Sequence, residues 1–464
     1  MPRPNVLFFF TDDQRYDTIA ALGNPHIHTP NMDRLVARGT AFTHAFIPCG
    51  TSAAVCMPSR AMLNTGRTLF HITGAGESIS PQHATIGQAL RQGGYRTFGA
   101  GKWHNGMESY HRSFTDGAEI FYGGMSDHWN VPAFDYDPAG KYDKRLPIVD
   151  DPWKSNAVRQ RHGDHIHSGR HSTETIGDAA IAFIHSYDSE QPFYMYVSLL
   201  APHDPRTMPQ KYLDMYRPQD IPLPANFLHG HPFNNGELQI RDEMLAAFPR
   251  NPDEIRRHLA EYYAMISHLD DKLGQIVEAL SQRGLLDNTI IVLAGDNGLA
   301  LGQHGLMGKQ SCYDHSVRVP LVFVGPGVPV GRRTDAFAYL LDIFPTLCDL
   351  TGTPVPASVE GRSLAKTIAG GPAVRENLYF AYTDKHRAIR DRRYKLIEYV
   401  VEGRHTMTQL FDLQADPCEM HNLAADAAHA GTLHRLRAEL IAHRDDWGDT
   451  VSPWGKTFWD ACKI

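Results

Sequence analysis

Short apolar runs alternate with helix-periodic segments through the first part of the chain. Four runs stand out, at residues 6–10, 95–100, 193–200 and 289–294. Unbroken apolar runs of this length suit strands covered on both faces, and their alternation with helices predicts an α/β domain with a mainly parallel sheet. Residues 253–283 carry Ile255, Leu259, Tyr262, Ile266, Leu269, Leu273, Ile276 and Leu280. That spacing lays one apolar stripe along a helix. The stretches 114–169 and 202–252 are rich in Asp, Pro, Gly and His and lack periodicity; such long loops tend to form binding rims. A Pro-containing connector begins at Thr351. Beyond Ala373, strand-like runs at 378–382, 394–401 and 409–413 precede a helix near 433–443. The expected division is therefore a large unit over 1–370 and a smaller α+β unit with an antiparallel sheet over 371–464, contributing to the substrate pocket.

A chain of 464 residues exceeds what one small core needs. Its charge of -7 and pI near 6.4 give no sign of a basic surface for nucleic acid. The opening Met1-Pro2-Arg3-Pro4 leads into an apolar run too short for a signal-peptide core or a membrane span, so it reads as a strand. The expectation is a cytoplasmic protein with no membrane partner, periplasmic or secreted if a leader has been removed. The 6 cysteines form no CxxC pair and need not be structural.

The residues just past each apolar run change the picture. Thr11-Asp12-Asp13-Gln14 comes after the first, Gly101-Lys102-Trp103-His104 after the second, Ala201-Pro202-His203-Asp204 after the third and Gly295-Asp296-Asn297-Gly298 after the fourth. Parallel strands share a carboxyl edge, and ligands bind in the crevice there. Asp12, Asp13, Asp296 and Asn297 offer only oxygen, the donor set of hard divalent cations. Clustered carboxylates repel, and a cation removes that conflict. Calcium fits a loosely shaped oxygen cage better than magnesium does. Taken alone, Asp12-Asp13 would read as a helix N-cap.

The sharpest local motif is Cys56-Met57-Pro58-Ser59-Arg60. Pro58 suits a first helical turn, which puts Cys56 at a helix N-terminus where N–H groups favour anions. A low-pKa or merely buried thiol is the plain alternative.

This pentapeptide resembles the Cys-x-Pro-Ser-Arg signature of the type I sulfatases, in the alkaline phosphatase superfamily. The resemblance runs nearly the whole chain: residues 5–14, Gly101-Lys102-Trp103-His104, Ala201-Pro202-His203, Gly295-Asp296-Asn297-Gly298, Gly308-Lys309 and residues 410–424 match family elements in order. Gln303 stands before His304 where Glu is frequent. The resemblance implies a large mixed, mainly parallel sheet flanked by helices. It implies that Cys56 is oxidised to formylglycine by a maturation enzyme, and that one calcium is held by Asp12, Asp13, Asp296, Asn297 and an oxygen of modified Cys56. In that family a hydroxyl of the hydrated aldehyde attacks sulfur, and a base then releases sulfate. By the same carry-over Arg60 binds the formylglycine hydroxyl, Lys102 and Lys309 neutralise sulfate, His104 is the base and His203, with Lys309, the acid.

Tyr110, His111, Arg112, Asp127, His128, Trp129, His165, His167, Arg170, Arg206 and His386 lie in the irregular loops or C-terminal unit. As a set they favour a sulfated saccharide over a flat aryl sulfate. Two rivals stand beside this reading: a phosphonate monoester or phosphodiester hydrolase of the same superfamily, and a non-catalytic sulfoglycan-binding protein with Cys56 left as a thiol. A homo-oligomer is left open.

Overall fold

Residues 3–464 are described by a computed structural model; Met1 and Pro2, which begin the segment expected to lead into the first strand, lie outside the described residues. The chain forms β1 (Asn5–Thr11), β2 (Thr40–Phe46), β3 (Cys49–Gly50), β4 (Arg96–Lys102), β5 (Asp116–Phe121), β6 (Pro132–Ala133), β7 (Arg145–Ile148), β8 (Arg159–His162) and β9 (His165–Ile166). It continues with β10 (Phe193–Ser198), β11 (Thr289–Gly295), β12 (Arg318–Val324), β13 (Arg332–Thr334), β14 (Ala338–Tyr339), β15 (Leu378–Tyr382), β16 (His386–Arg390), β17 (Tyr394–Val401) and β18 (Arg404–Asp412).

The four apolar runs become β1, β4, β10 and β11, at the centre of one sheet ordered β13-β2-β12-β11-β1-β10-β4-β5, with β14 also on β2. β1 runs parallel to β10 and β11, β4 parallel to β10 and β5, while β12 is antiparallel to β11 and β2. The sheet is thus mixed and mainly parallel, as the sequence pattern predicts.

Every position of β1, β10 and β11 is buried because helices cover both faces. Alternate residues of β1 divide between two cores. Val6, Phe8 and Phe10 pack with Met62 and Leu63 of helix Cys56–Thr65 and with Phe344 and Leu347 of helix Ile343–Thr351. Leu7 and Phe9 pack with helix Pro252–Gln282 and with Ile176 and Ile184 of helix Ser172–Ser186. The long helix begins one residue before its expected start, because Pro252 suits the first helical position and the Asn251 side chain caps the N–H groups of Asp253 and Glu254. All eight stripe residues predicted for it are buried.

The second sheet has the order β18-β17-β16-β15-β3, with β15 to β18 antiparallel. β16 carries His386, Arg387 and Arg390, so no apolar alternation announced it. β3 pairs in parallel with β15, Cys49 opposite Ala381, which fastens the segment just before Cys56 to the C-terminal sheet. Among the described residues no helix is long and apolar enough to cross a membrane.

Candidate active site

The parallel registers set the ends of the central strands side by side: Thr11 opposite Gly295, Phe10 opposite Ser198, and Ser198 opposite Gly101. The residues beyond these strand ends gather at one edge. Asp12, Asp13, Lys102, Asp296, Asn297, His203 and Lys309 are buried, and His104 is half-buried. Asp13 and His104 both adopt left-handed backbone, with φ of 63° and 70°. Such conformations cost roughly 1–3 kcal/mol and persist where packing imposes them.

Arg60 is the bracket across the strand ends. Its Nε donates to Asp296 Oδ2 at 2.9 Å, and one terminal nitrogen donates to Lys102 O at 3.0 Å and to Ser198 Oγ at 2.6 Å. The other terminal nitrogen has no hydrogen-bond partner among the described residues and stands 3.6 Å from Asp12 Oδ2. The Ser59 hydroxyl donates to Asp296 O at 2.6 Å. Helix Cys56–Thr65 is thereby fixed against the sheet, with Cys56 as its first residue.

Three carboxylates meet three cations. Lys102 pairs with Asp12, Lys309 Nζ reaches Asp13 Oδ1 at 2.6 Å, and Arg60 holds Asp296. Burial opposes ionisation of Asp12, but Lys102 and then Arg60 hold its carboxyl well below the usual range. Asp296 moves the other way, to about 7, through burial and repulsion from Asp12. The two acids are crowded enough that one resists ionising.

The donor set fits a divalent cation. Asp12 Oδ1 and Asn297 Oδ1 are buried without a hydrogen-bond partner among the described residues. Asn297 Nδ2 donates to Asp13 Oδ1 at 2.7 Å, which leaves the amide oxygen as the free atom. Ligand atoms of Asp12, Cys56 and Asp296 lie within 4.8 Å of one another, as do those of Asp12, Asp13 and His203. A divalent ion here would offset the carboxylates and leave the lysines and Arg60 to face an anion.

Burial pushes the Cys56 thiol up to about 11, although Lys102 and Lys309 oppose it. These surroundings disfavour a low-pKa thiolate and suit a buried thiol. Lys102 Nζ is 3.5 Å and His104 Nδ1 3.6 Å from Cys56 Sγ. Burial, then Lys102 and Arg60, hold His104 well below its ordinary pKa, so the imidazole is neutral. His203 Nδ1–H donates to Asp204 O at 2.8 Å, and its Nε2 stands 3.7 Å from Asp13 Oδ2.

Cys56, His104, His203 and Lys309 open into a cavity of about 190 Å³ walled by Met125, Arg241 and Gln310. A second hollow of about 490 Å³ shares His104 and Met125 and adds Glu77, Asp127, Arg161 and His162. Arg241, Gln310, Arg161 and His162 were missed by sequence reasoning. Arg241, Arg161 and His162 lie in the irregular stretches read as binding rims, Gln310 directly follows Gly308-Lys309, and no motif or spacing marks any of the four.

Most of the loop residues that as a set favour a sulfated saccharide have structural tasks. Tyr110 is buried and donates to Gly99 O, Arg112 binds the carbonyls of Ile79, Ser80 and His83, and Arg206 donates to His258. His111 stacks on Tyr136, Trp129 packs edge-on to His171, and Arg170 pairs with Asp178. Buried His128 bridges the Ser172 hydroxyl and His203 O, while buried His386 bonds Asn235 O. His165 and His167 converge on Glu119. Asp127 lines the second hollow.

The Sulfatase family model matches residues 4–353, and the C-terminal model of N-sulphoglucosamine sulphohydrolase matches residues 302–446. An N-acetylglucosamine-6-O-sulfatase of Bacteroides thetaiotaomicron is 27% identical over 92% of this chain and 84% of its own. An arylsulfatase of Clostridium perfringens is 28% identical over 95% of this chain and 94% of its own. A solved structure in complex with its substrate D-glucosamine-2-N,6-O-disulfate superposes with a TM-score of 0.77 at 24% identity, covering 96% of this chain and 98% of that one.

Proposed function

The chain belongs to the sulfatase family of the alkaline phosphatase superfamily and is a sulfuric ester hydrolase, and from that premise we propose that it removes sulfate from a sulfated saccharide with one calcium ion and a formylglycine derived from Cys56. The observation that carries the reading is the pair of buried oxygens, Asp12 Oδ1 and Asn297 Oδ1, without hydrogen-bond partners among the described residues, in an acidic cluster that reaches Cys56 and is paired with Lys102 and Lys309. Asp12, Asp13, Asp296 and Asn297 would hold the calcium, which polarises sulfate oxygens, while the modified Cys56 supplies the attacking hydroxyl.

The rest falls to this chain's own side chains. Lys102 and Lys309 stay protonated, drawn up by Asp12 and Asp13 against burial. They neutralise the sulfate and the charge that builds in the transition state. His104, neutral and 3.6 Å from Cys56 Sγ, accepts a proton at Nδ1. His203, its ring fixed by the Nδ1–H bond to Asp204 O, donates one to the leaving alcohol when Nε2 also carries a proton. Glu77, Asp127, Arg161 and Arg241 give the surrounding walls hydrogen-bonding groups for hydroxyls and further anionic substituents. The N-acetylglucosamine-6-O-sulfatase relative and the disulfated-glucosamine complex support the saccharide class. Maturation needs a formylglycine-generating partner, so co-expression with one should raise specific activity.

Hydrolysis rates on a panel of sulfated mono- and oligosaccharides, an aryl sulfate and an aryl phosphonate test the reading. A sulfated sugar should be turned over fastest. An aryl phosphonate cleaved faster than every sulfate ester would replace the reading with that of a phosphonate hydrolase.

A further inference from the structure

We propose that Glu119, His165 and His167 form a second metal site, for a zinc-class divalent ion, sharing no residue with the acidic cluster around Asp12. His165 Nε2 lies 3.2 Å and His167 Nε2 2.8 Å from the same oxygen, Glu119 Oε1. Their rings stand 5.0 Å apart at 61°, so the two nitrogens approach one point from different directions. All three ligand atoms lie within 4.8 Å of one another. Two imidazoles and one carboxylate are the borderline donor set that first-row divalent ions prefer over calcium or magnesium.

Two features separate this group from a chance surface ion pair. An ion pair needs one imidazole per carboxylate, whereas here two imidazoles converge on one oxygen. Moreover, Asp164 holds the far nitrogen of His165, Nδ1, which fixes the ring and aims Nε2 inward. A carboxylate behind a ligating histidine is the usual support of such sites. Glu119 itself sits in left-handed backbone, φ 53°, where the pairing of β4 with β5 shifts register. The irregularity turns its side chain out of the strand's regular alternation.

The group joins two elements. Glu119 belongs to β5, and His165 to β9, which pairs with β6 at the end of the irregular excursion. Arg161 and His162, on the wall of the second hollow, immediately precede it. A bound ion would clip this excursion to the sheet and fix that wall. His167 is half open to solvent, leaving a coordination position for water.

The test is calorimetric titration of the chelator-treated full chain with zinc chloride alone, in excess calcium to occupy the acidic cluster. The wild type should bind one zinc. His167→Ala and Glu119→Gln should lose that equivalent, while Asp164→Asn should bind about tenfold to hundredfold more weakly. His167 is partly exposed, so its removal should leave the far-ultraviolet dichroism and melting temperature intact, separating lost ligation from misfolding. Absence of zinc binding by the wild type, or an unchanged zinc equivalent in His167→Ala, would overturn the proposal.

Discussion

His104 Nδ1 lies 3.6 Å from Cys56 Sγ, and burial with Lys102 beside it keeps that imidazole neutral. A neutral nitrogen at hydrogen-bond range of the reactive side chain is placed to take a proton, not to give one. His104→Ala should therefore lower steady-state sulfate release by about a hundredfold or more. In rapid-mixing experiments alcohol release should outrun sulfate release during the first turnover. Equal slowing of both products would assign the residue a different task.

Cys56 sits at the start of its helix with a thiol pushed up to about 11, so the unmodified side chain is a poor nucleophile at neutral pH. Active preparations should contain a Cys56 peptide lighter than the thiol form, as oxidation to the aldehyde requires, and specific activity should rise in proportion to its fraction. Cys56→Ala should abolish turnover with little change in melting temperature, because Ser59 and Arg60 hold the helix to the strand ends. Substantial residual turnover in Cys56→Ala would remove the residue from the chemistry.

Asp296 is driven to about 7 by burial and by Asp12, while Asp12 Oδ1 and Asn297 Oδ1 lack hydrogen-bond partners among the described residues. A divalent ion relieves both conflicts in the folded state alone, so it stabilises the fold by mass action, by about 2.7 kcal/mol at a hundred times its dissociation constant. Chelation should abolish activity and lower the melting temperature, and calcium should restore both more effectively than magnesium. Asp296→Asn should lose the calcium-dependent rise. A melting temperature indifferent to chelator and calcium would exclude an ion at these residues.

The central architecture was legible because it rests on the plainest signals. Runs such as residues 6–10 and 289–294 are apolar on both faces, which only a covered strand tolerates, and the polar residues ending them fall on one edge by parallel topology alone. The motif marks Arg60 as a candidate site residue, but its binding to Lys102 O and Ser198 Oγ depends on strands far apart in the chain. The walls of the two hollows beside Cys56 and His104 were not legible. Tyr110 and His386 have the composition of ligand-binding residues, yet Tyr110 spends its hydroxyl on Gly99 O and His386 its Nε2 on Asn235 O. Arg241 carries no motif, and only the fold sets it beside His203 by pairing it with Asp204 at 2.8 Å. Loop residues acquire their roles from tertiary packing, which no local spacing encodes.

His304 and His231 make acid sensitivity predictable outside the active site. His304 stacks on Tyr313 at 4.0 Å, and its Nε2 accepts from Asn226 Nδ2 at 3.0 Å, which requires a neutral ring. His231 Nδ1–H donates to His304 O at 2.9 Å. Burial, then His231 and Lys395, lower His304 to about 3, and burial, then His386, lowers His231 to about 4. The unfolded chain protonates both near their ordinary 6.5. Above that pH neither state binds the proton and the pair is silent. Below it the unfolded state binds more protons, so stability falls as pH drops, through about 4 for His231 and about 3 for His304. Each group contributes at most about 1.4 kcal/mol per pH unit in that window. Urea unfolding free energies should therefore decline steadily from pH 6.5 to 4.5, at about that slope per histidine. In His304→Gln the absolute stability should be lower, but its decline over the same interval should be shallower by about one histidine's share. An identical slope in the variant would mean that His304 is protonated as readily folded as unfolded.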